Sequence, residues 1–170
     1  MPDHHPLRVL FLCNRNTARS IMAEAILKHI GATRFEAYSA GASHTPDQVP
    51  HPLALQVLHD AGMSTEGLHS KSWHDFAGTD APHMDLVITL CDQVHGEPCP
   101  VWPGHPATAH WSYEDPALPQ SNADEALYGF KRLLHALHQR LELLMNLPLS
   151  SLDRMVLETE ARRLAQPQAD

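Results

Sequence analysis

The segment Cys13-Asn14-Arg15-Asn16-Thr17-Ala18-Arg19-Ser20 sets a thiol and a guanidinium six positions apart, with amide and hydroxyl side chains around them. Between a strand and a helix, such a loop can turn its N–H groups inward as a nest for a tetrahedral oxyanion. A helix opening near Arg19 adds the positive end of its dipole. The planar fork of Arg19 suits two oxygens of one anion. The same field favours the thiolate of Cys13, the nucleophilic form of a cysteine. Ser20 can donate a hydrogen bond to that sulfur, and Asn16 tolerates left-handed turn geometry and can tie the loop to itself. Asn14, Arg15, Thr17 and Ala18 complete the candidate oxyanion loop, with Arg15 either guiding anions or simply solvated. The plainer account is a buried core cysteine in a polar turn, but that gives no reason for an arginine at a helix start.

The elements around this loop follow from hydropathy. Leu7 to Leu12 is a short, nearly continuous apolar run, which suits a central strand buried on both faces. From Ile21 to Ile30, apolar residues at 22, 26 and 30 and at 23 and 27 keep helical spacing, and Gly31 is a stop. Phe35 to Ala40 is a second strand closed by Gly41. Ala42 to Pro50 is a loop, and Pro52 to Ala61 a helix with Pro52 in its first turn. Ser72 to Ala77 suits a short helix, and Asp85 to Leu90 is a third strand. Residues 91 to 120 are rich in proline and form the longest irregular stretch, a kind of loop that is usually functional or disordered. The longest helix runs from about Asp124 to Asn146, with Leu127, Phe130, Leu134, Leu137, Leu141 and Leu144 along one stripe. Ser151 to Leu164 suits a short charged helix, and Gln166 to Asp170 should fray. Strands alternating with helices predict an α/β fold with a parallel sheet. Cys13 and Cys91 both follow predicted strands and so should emerge at the same end of it, where ligands bind in such folds.

Composition narrows the classes further. The chain has 170 residues, 43% hydrophobic, which is one compact domain with a sizeable core. A net charge of −8 argues against general nucleic-acid binding. No apolar run is long enough for a membrane span. Met1 to Pro6 is polar and lacks the features of a secretion signal, so a cytoplasmic chain is expected. Three cysteines do not make a disulfide scaffold.

Several motifs in order carry a resemblance. Val9-Leu10-Phe11-Leu12-Cys13 through Arg19-Ser20, then Met22-Ala23-Glu24, then Ser39-Ala40-Gly41, resemble the low-molecular-weight protein tyrosine phosphatase superfamily. Val87-Ile88-Thr89-Leu90-Cys91, Cys99-Pro100-Val101-Trp102-Pro103 and His110-Trp111-Ser112-Tyr113-Glu114-Asp115-Pro116-Ala117 are most similar to the arsenate reductases built on that fold. The resemblance spans residues 7 to 147. It implies a single three-layer domain with a four-stranded parallel sheet and helices on both faces, flanked by a disordered N-terminus at 1–6 and a C-terminal extension at 148–170.

The resemblance also implies roles. Asp115 would be the proton donor, aimed by Pro116, which restricts it to extended geometry; an ordinary Asp-Pro turn is the alternative, with Glu114 and then Asp92 as fallback carboxylates. Cys13 would attack arsenate, Cys91 would attack Cys13 and release arsenite, and Cys99 would pass the disulfide to the surface for an external thiol reductant. That reductant would be thioredoxin, or glutathione with glutaredoxin. Thioredoxin-coupled relatives have one residue fewer between the last two cysteines. Without the resemblance, Cys91 reads equally as a strand-end core residue and Cys99 as incidental. A zinc site is weaker still, since structural zinc prefers tighter spacing.

The superfamily's own chemistry, hydrolysis of phosphate monoesters through a cysteinyl phosphate, is the alternative. Tyrosine phosphatases of the superfamily follow the Asp-Pro with aromatic residues, whereas Ala117-Leu118 stands here, and Cys91 and Cys99 would be unexplained. A redox-sensing module is a third reading, with no use for a positioned Asp115. No tightly bound cofactor, no metal site and a monomer are expected. The 14 histidines, including His135 and His138 on the long helix, form no clear ligand set. His110 and Trp111 read as packing residues. Glu24 matches a position near which some relatives hold potassium, but the residues around Ser72 do not complete that pattern.

Overall fold

The computed structural model describes residues 6–31, 33–43, 45–78, 80–92, 96–97, 102, 107–117, 122–147, 159 and 161–165. Its elements are β1 (Leu7–Cys13), α1 (Arg19–Gly31), β2 (Phe35–Gly41), α2 (Pro52–Asp60), a 3₁₀ helix (Trp73–Phe76), β3 (Leu86–Thr89), β4 (Ala107–His110) and α3 (Ala123–Met145). The strands form one parallel sheet in the order β2-β1-β3-β4. β1 is central, paired on both sides, and its residues from Val9 to Leu12 are fully buried. That is why the strand reads as a continuous apolar run.

The larger core lies on one face of the sheet. Val9, Phe11, Leu86 and Ile88 meet Met22, Ile26 and Leu27 of α1, Ala54 and Leu58 of α2, and Phe130, Leu137 and Leu141 of α3. α1 is buried nearly all round, as expected of a helix wedged between a sheet and its neighbours. The opposite face carries Leu10, Leu12 and Val87, covered by Trp73 and Phe76 of the 3₁₀ helix and by Trp102. α3 is capped by Asn122, whose side chain accepts from the Glu125 N–H at 2.9 Å, and Asp124 and Glu125 sit in its first turn. At its far end Arg34 donates to the carbonyls of Met145 and Leu147, at 2.8 and 3.3 Å.

Two sequence expectations need correction. The stretch from 91 to 120 is not irregular throughout, because it holds β4. Ala107-Thr108-Ala109-His110 lacks the branched apolar residues that mark a strand; its conformation is set by pairing, with Leu86↔Ala107 through Thr89↔His110 in register with β3. The buried stripe of α3 includes Leu133, while Leu127 and Leu134 are only partly buried. Among the described residues near the C-terminus, Ala161–Leu164 are helical. Ala161 is fully buried, and its carbonyl accepts from the Trp111 indole at 3.0 Å. Among the described residues no helix is long and apolar enough to cross a membrane.

Candidate active site

The chain leaves β1 for β2 on one side and crosses to β3 on the other. The order of strands therefore reverses between β1 and β3, and the cleft beyond their carboxyl ends is where such sheets bind ligands. Cys13 ends β1 and Cys91 follows β3, so both candidate thiols stand at that point.

Cys13 is 2% exposed. Its sulfur lies 2.8 Å from the Ser20 hydroxyl and accepts from the Asn16 N–H at 3.3 Å. Asn16 has φ 61°, a left-handed geometry that asparagine tolerates better than most residues. Its side chain spans the loop: the amide donates to Ser20 Oγ at 2.7 Å, and its carbonyl accepts from the Lys71 N–H at 2.8 Å. The loop is tied to the chain after β2 by Ala42 N–H to Cys13 and Ser43 N–H to Asn14, at 2.9 and 2.7 Å. Thr17 accepts from the His51 N–H at 2.8 Å, and Ala18 is buried while Arg15 is exposed.

The fork of Arg19 holds two oxygens, and they belong to Glu97. Its two terminal nitrogens donate to the two carboxylate oxygens at 2.8 Å each. One of them also reaches the carbonyls of Leu90 and Tyr113, and Asp115 lies 3.7 Å from the other. Burial works against the Arg19 charge, but the Glu97 hydrogen bonds and the nearby Cys13 and Asp115 outweigh it and raise its pKa. Burial likewise pushes Glu97 up, yet Arg19 prevails and holds the carboxyl below the usual carboxylate range. Asp115 accepts from the Ala117 N–H at 2.9 Å, an Asx turn over Pro116 that fixes its carboxylate.

Cys91 is fully buried. Leu12 pairs with Thr89, and the Leu90 N–H continues the ladder to Leu12 O, so Cys91 stands one residue past Cys13 on the neighbouring strand. Phe11, Ile88 and Leu90 belong to the larger core. Alternation carried one residue on sends Cys91 to the face opposite Cys13. A disulfide between the two therefore requires the Cys91 side chain to be brought to the Cys13 face. Cys99 and Leu118 lie outside the described residues. Glu114 is exposed. Asp92 is buried, its backbone N–H donates to Glu97 at 3.2 Å, and its carboxylate lies 3.5 Å from Ser112 Oγ.

Sequence reasoning missed two residues. Glu97 stood unremarked between two cysteines. The signal was an acid following Gly96, whose φ of 84° turns the chain there, in a stretch leaving the same end of the sheet as the loop. Lys71 was also missed. Its ammonium sits 3.4 Å from both Glu24 Oε1 and Ser39 Oγ and donates to His69 O at 2.6 Å. Burial lowers its pKa, with Glu24 opposing. This buried Lys71–Glu24–Ser39 cluster underlies the segment whose backbone holds Asn16. Trp111 is core, as packing predicts, and the His110 imidazole lies 2.7 Å from Thr89 Oγ1. Among the described residues no group of three metal-ligating side chains comes together.

The chain can be set beside known proteins on this geometry. The sequence profile of the low molecular weight phosphotyrosine protein phosphatase family matches residues 8–158. An arsenate reductase of Bacillus licheniformis is 32% identical over 136 residues, 79% of this chain and 91% of that protein. A glutaredoxin arsenate reductase of Synechocystis is 32% identical over 109 residues, covering 64% of this chain and 78% of that protein. The crystal structure of an arsenate reductase from Archaeoglobus fulgidus superposes with a TM-score of 0.65 at 26% identity, over 82% of this chain and 99% of the other.

Proposed function

The chain belongs to the low molecular weight phosphotyrosine protein phosphatase family, and within it we propose that it reduces arsenate to arsenite with electrons from thiols. The observation that carries this reading is the pair of buried cysteines at the ends of adjacent strands, Cys13 inside an oxyanion loop and Cys91 one residue past it. A hydrolase needs the first and has no use for the second. The arsenate reductases of Bacillus licheniformis and Synechocystis support the same direction.

The loop N–H groups and Arg19 hold the oxyanion, and the Ser20 hydroxyl, 2.8 Å from the Cys13 sulfur, holds that sulfur in place for attack. The thiolate attacks arsenic, and one oxygen departs as water. Asp115 supplies the proton to that oxygen, a contribution of about 10²–10⁴-fold for a positioned acid. The thiolate of Cys91 then attacks the Cys13 sulfur. A sulfur–sulfur bond forms, the sulfur–arsenic pair of electrons passes to arsenic, and As(V) leaves as arsenite, As(III). The Cys13–Cys91 disulfide is handed to Cys99 by exchange, and an external dithiol opens it. Thioredoxin suits a chain that keeps three cysteines; glutathione with glutaredoxin is the other donor, and the Synechocystis relative carries glutaredoxin in its name.

A second reading is hydrolysis of phosphate monoesters through a cysteinyl phosphate. A cleft of about 430 Å³ beside Asp115, lined by Tyr113, Pro116, Tyr128 and Leu133, offers room for an organic leaving group. Arsenite production by wild type, Cys13→Ser, Cys91→Ser and Cys99→Ser, with each reductant, tests both. Loss in Cys13→Ser and Cys91→Ser is expected, and loss in Cys99→Ser with thioredoxin alone identifies the reductant. Hydrolysis of para-nitrophenyl phosphate that needs Cys13 and ignores Cys91, with no arsenite formed, overturns the reductase reading.

A further inference from the structure

The Glu97 carboxylate meets the Arg19 fork as a substrate oxyanion would. One oxygen accepts from Arg19 and from the Asn14 side-chain amide, at 2.8 Å each. The other accepts from Arg19 at 2.8 Å and from the Asp92 N–H at 3.2 Å. The Arg19 side chain is 6% exposed, so it cannot leave this carboxylate for bulk water. We propose that Glu97 is an internal competitor for the oxyanion: it holds the Arg19 fork when the loop has no ligand, and an incoming dianion must win the fork from it.

The charges around the fork support this. Cys13 and Asp115 face Arg19, Asp92 adjoins Glu97 in the same stretch, and His110 on β4 is held toward its neutral form by burial, against the pull of Glu97. Among these described residues Arg19 is the cation that the carboxylates share. A dianion and Glu97 cannot both share it without strong repulsion, because like charges at a single guanidinium are mutually unfavourable in a partly buried site. Glu97 therefore raises the concentration at which any oxyanion occupies the loop, and weakly charged anions are kept out more effectively than dianions. The residue that yields lies two positions before Cys99 and six after Cys91 in sequence, so the oxyanion contests a group on the same stretch as the relay thiols. The proposal rests on the oxyanion-loop reading above.

The sign of one substitution separates competition from support. If Glu97 merely oriented Arg19, Glu97→Gln would weaken oxyanion binding. Competition requires the reverse, because the amide keeps the shape and loses the charge. Inorganic phosphate is the probe, measured by calorimetry and by protection of Cys13 from iodoacetamide, read at that residue by mass spectrometry. Glu66→Gln, on the exposed surface, is the charge-removing control. Glu97→Gln is expected to bind phosphate at least about tenfold more tightly than wild type and to lower the KM for arsenate without raising kcat. Equal or weaker binding, or a kcat change at constant KM, overturns the proposal. Absence of phosphate protection in both proteins, with Cys13 still alkylated, overturns the oxyanion-loop reading and this one with it. Protection in wild type without the gain in Glu97→Gln overturns only the role of Glu97.

Discussion

Gly41 stands directly beneath Arg15: a Cβ added to Gly41 would lie 2.7 Å from the Arg15 carbonyl carbon and 2.7 Å from the Asn14 carbonyl oxygen. Both are backbone atoms, so no side-chain rotation relieves the clash. The end of β2 thus lets the loop after Cys13 pass at a distance only glycine allows. Gly41→Ala should fold, with a loss of about 1–3 kcal/mol in stability by urea denaturation, the usual cost of overpacking. Its oxyanion binding should fall far more, by at least about 100-fold, because the Asn14 and Arg15 carbonyls cannot move without turning the Arg15 and Asn16 N–H groups in the same peptide planes. Phosphate titration checks this, and unchanged binding would show that the loop tolerates displacement.

Glu24 and Lys71 are a buried ion pair 3.4 Å apart, 4% and 12% exposed at the side chain. Removing one partner leaves the other charge without compensation. Lys28 remains for Glu24 at 2.7 Å, so Lys71→Met should cost less than Glu24→Gln, which strands the more enclosed ammonium. A loss of about 2 kcal/mol is expected for Glu24→Gln, below the about 3–5 kcal/mol of a broken buried pair because Ser39 and His69 still bind Lys71. The double variant should recover part of it. A double-mutant cycle by urea denaturation gives the coupling, and strict additivity would mean the pair is not coupled.

How much of this was legible depended on whether a residue's role is local. The grouping of Cys13, Asn16, Arg19 and Ser20 was readable because they lie within eight consecutive positions, between a strand and a helix whose own patterns are strong. β1 was readable because burial on both faces leaves a continuous apolar run. β4 was not, since its alanines and threonine take strand geometry only from pairing with β3. Leu133 was misjudged on α3 because a stripe of ordinary width admits either of two neighbours, and packing chooses. Glu97 and Lys71 were invisible for a different reason. Their partners, Arg19 and Glu24, are 78 and 47 positions away, and no spacing rule spans such distances. The nearness of Cys13 and Cys91 was half legible: both follow strands, but that the strands are neighbours is a fact of sheet order.

Glu97 also governs behaviour in acid. Its pKa is lowered in the folded chain, through Arg19, from an ordinary value of 4.5. The folded state therefore binds this proton less readily than the unfolded state. The stabilisation is fully present above about pH 4.5 and is lost as pH falls through the lower folded value. Urea midpoints for wild type and Glu97→Gln, from pH 7 down to 3, should converge as acid removes the wild-type advantage. A constant difference over that range would show that Glu97 titrates alike in both states.

The segment around Ala161 closes the core over Trp111. The indole is fully buried, donates to Ala161 O at 3.0 Å, and has the Arg140 guanidinium 5.6 Å from its ring centroid. Arg162 adds a hydrogen bond to Thr108 O at 3.2 Å on the edge strand. A chain ended after Leu147 loses all the contacts from residue 161 on, and Trp111 gains solvent on one side. Losing a buried hydrogen bond of this kind costs about 1–3 kcal/mol, so Tm should fall by roughly 2–12 °C for a chain of this size. Tryptophan fluorescence should shift to the red. Because truncation removes more than this contact, Ala161→Asp is the sharper test. It keeps the chain whole while forcing a carboxylate into a fully buried position. Both variants should be destabilised and still bind phosphate, since the contacts of the described residues from 161 on are with Trp111 and Thr108, away from Cys13–Ser20. A truncated chain with unchanged Tm and unshifted fluorescence would mean that the docked segment contributes nothing to the fold.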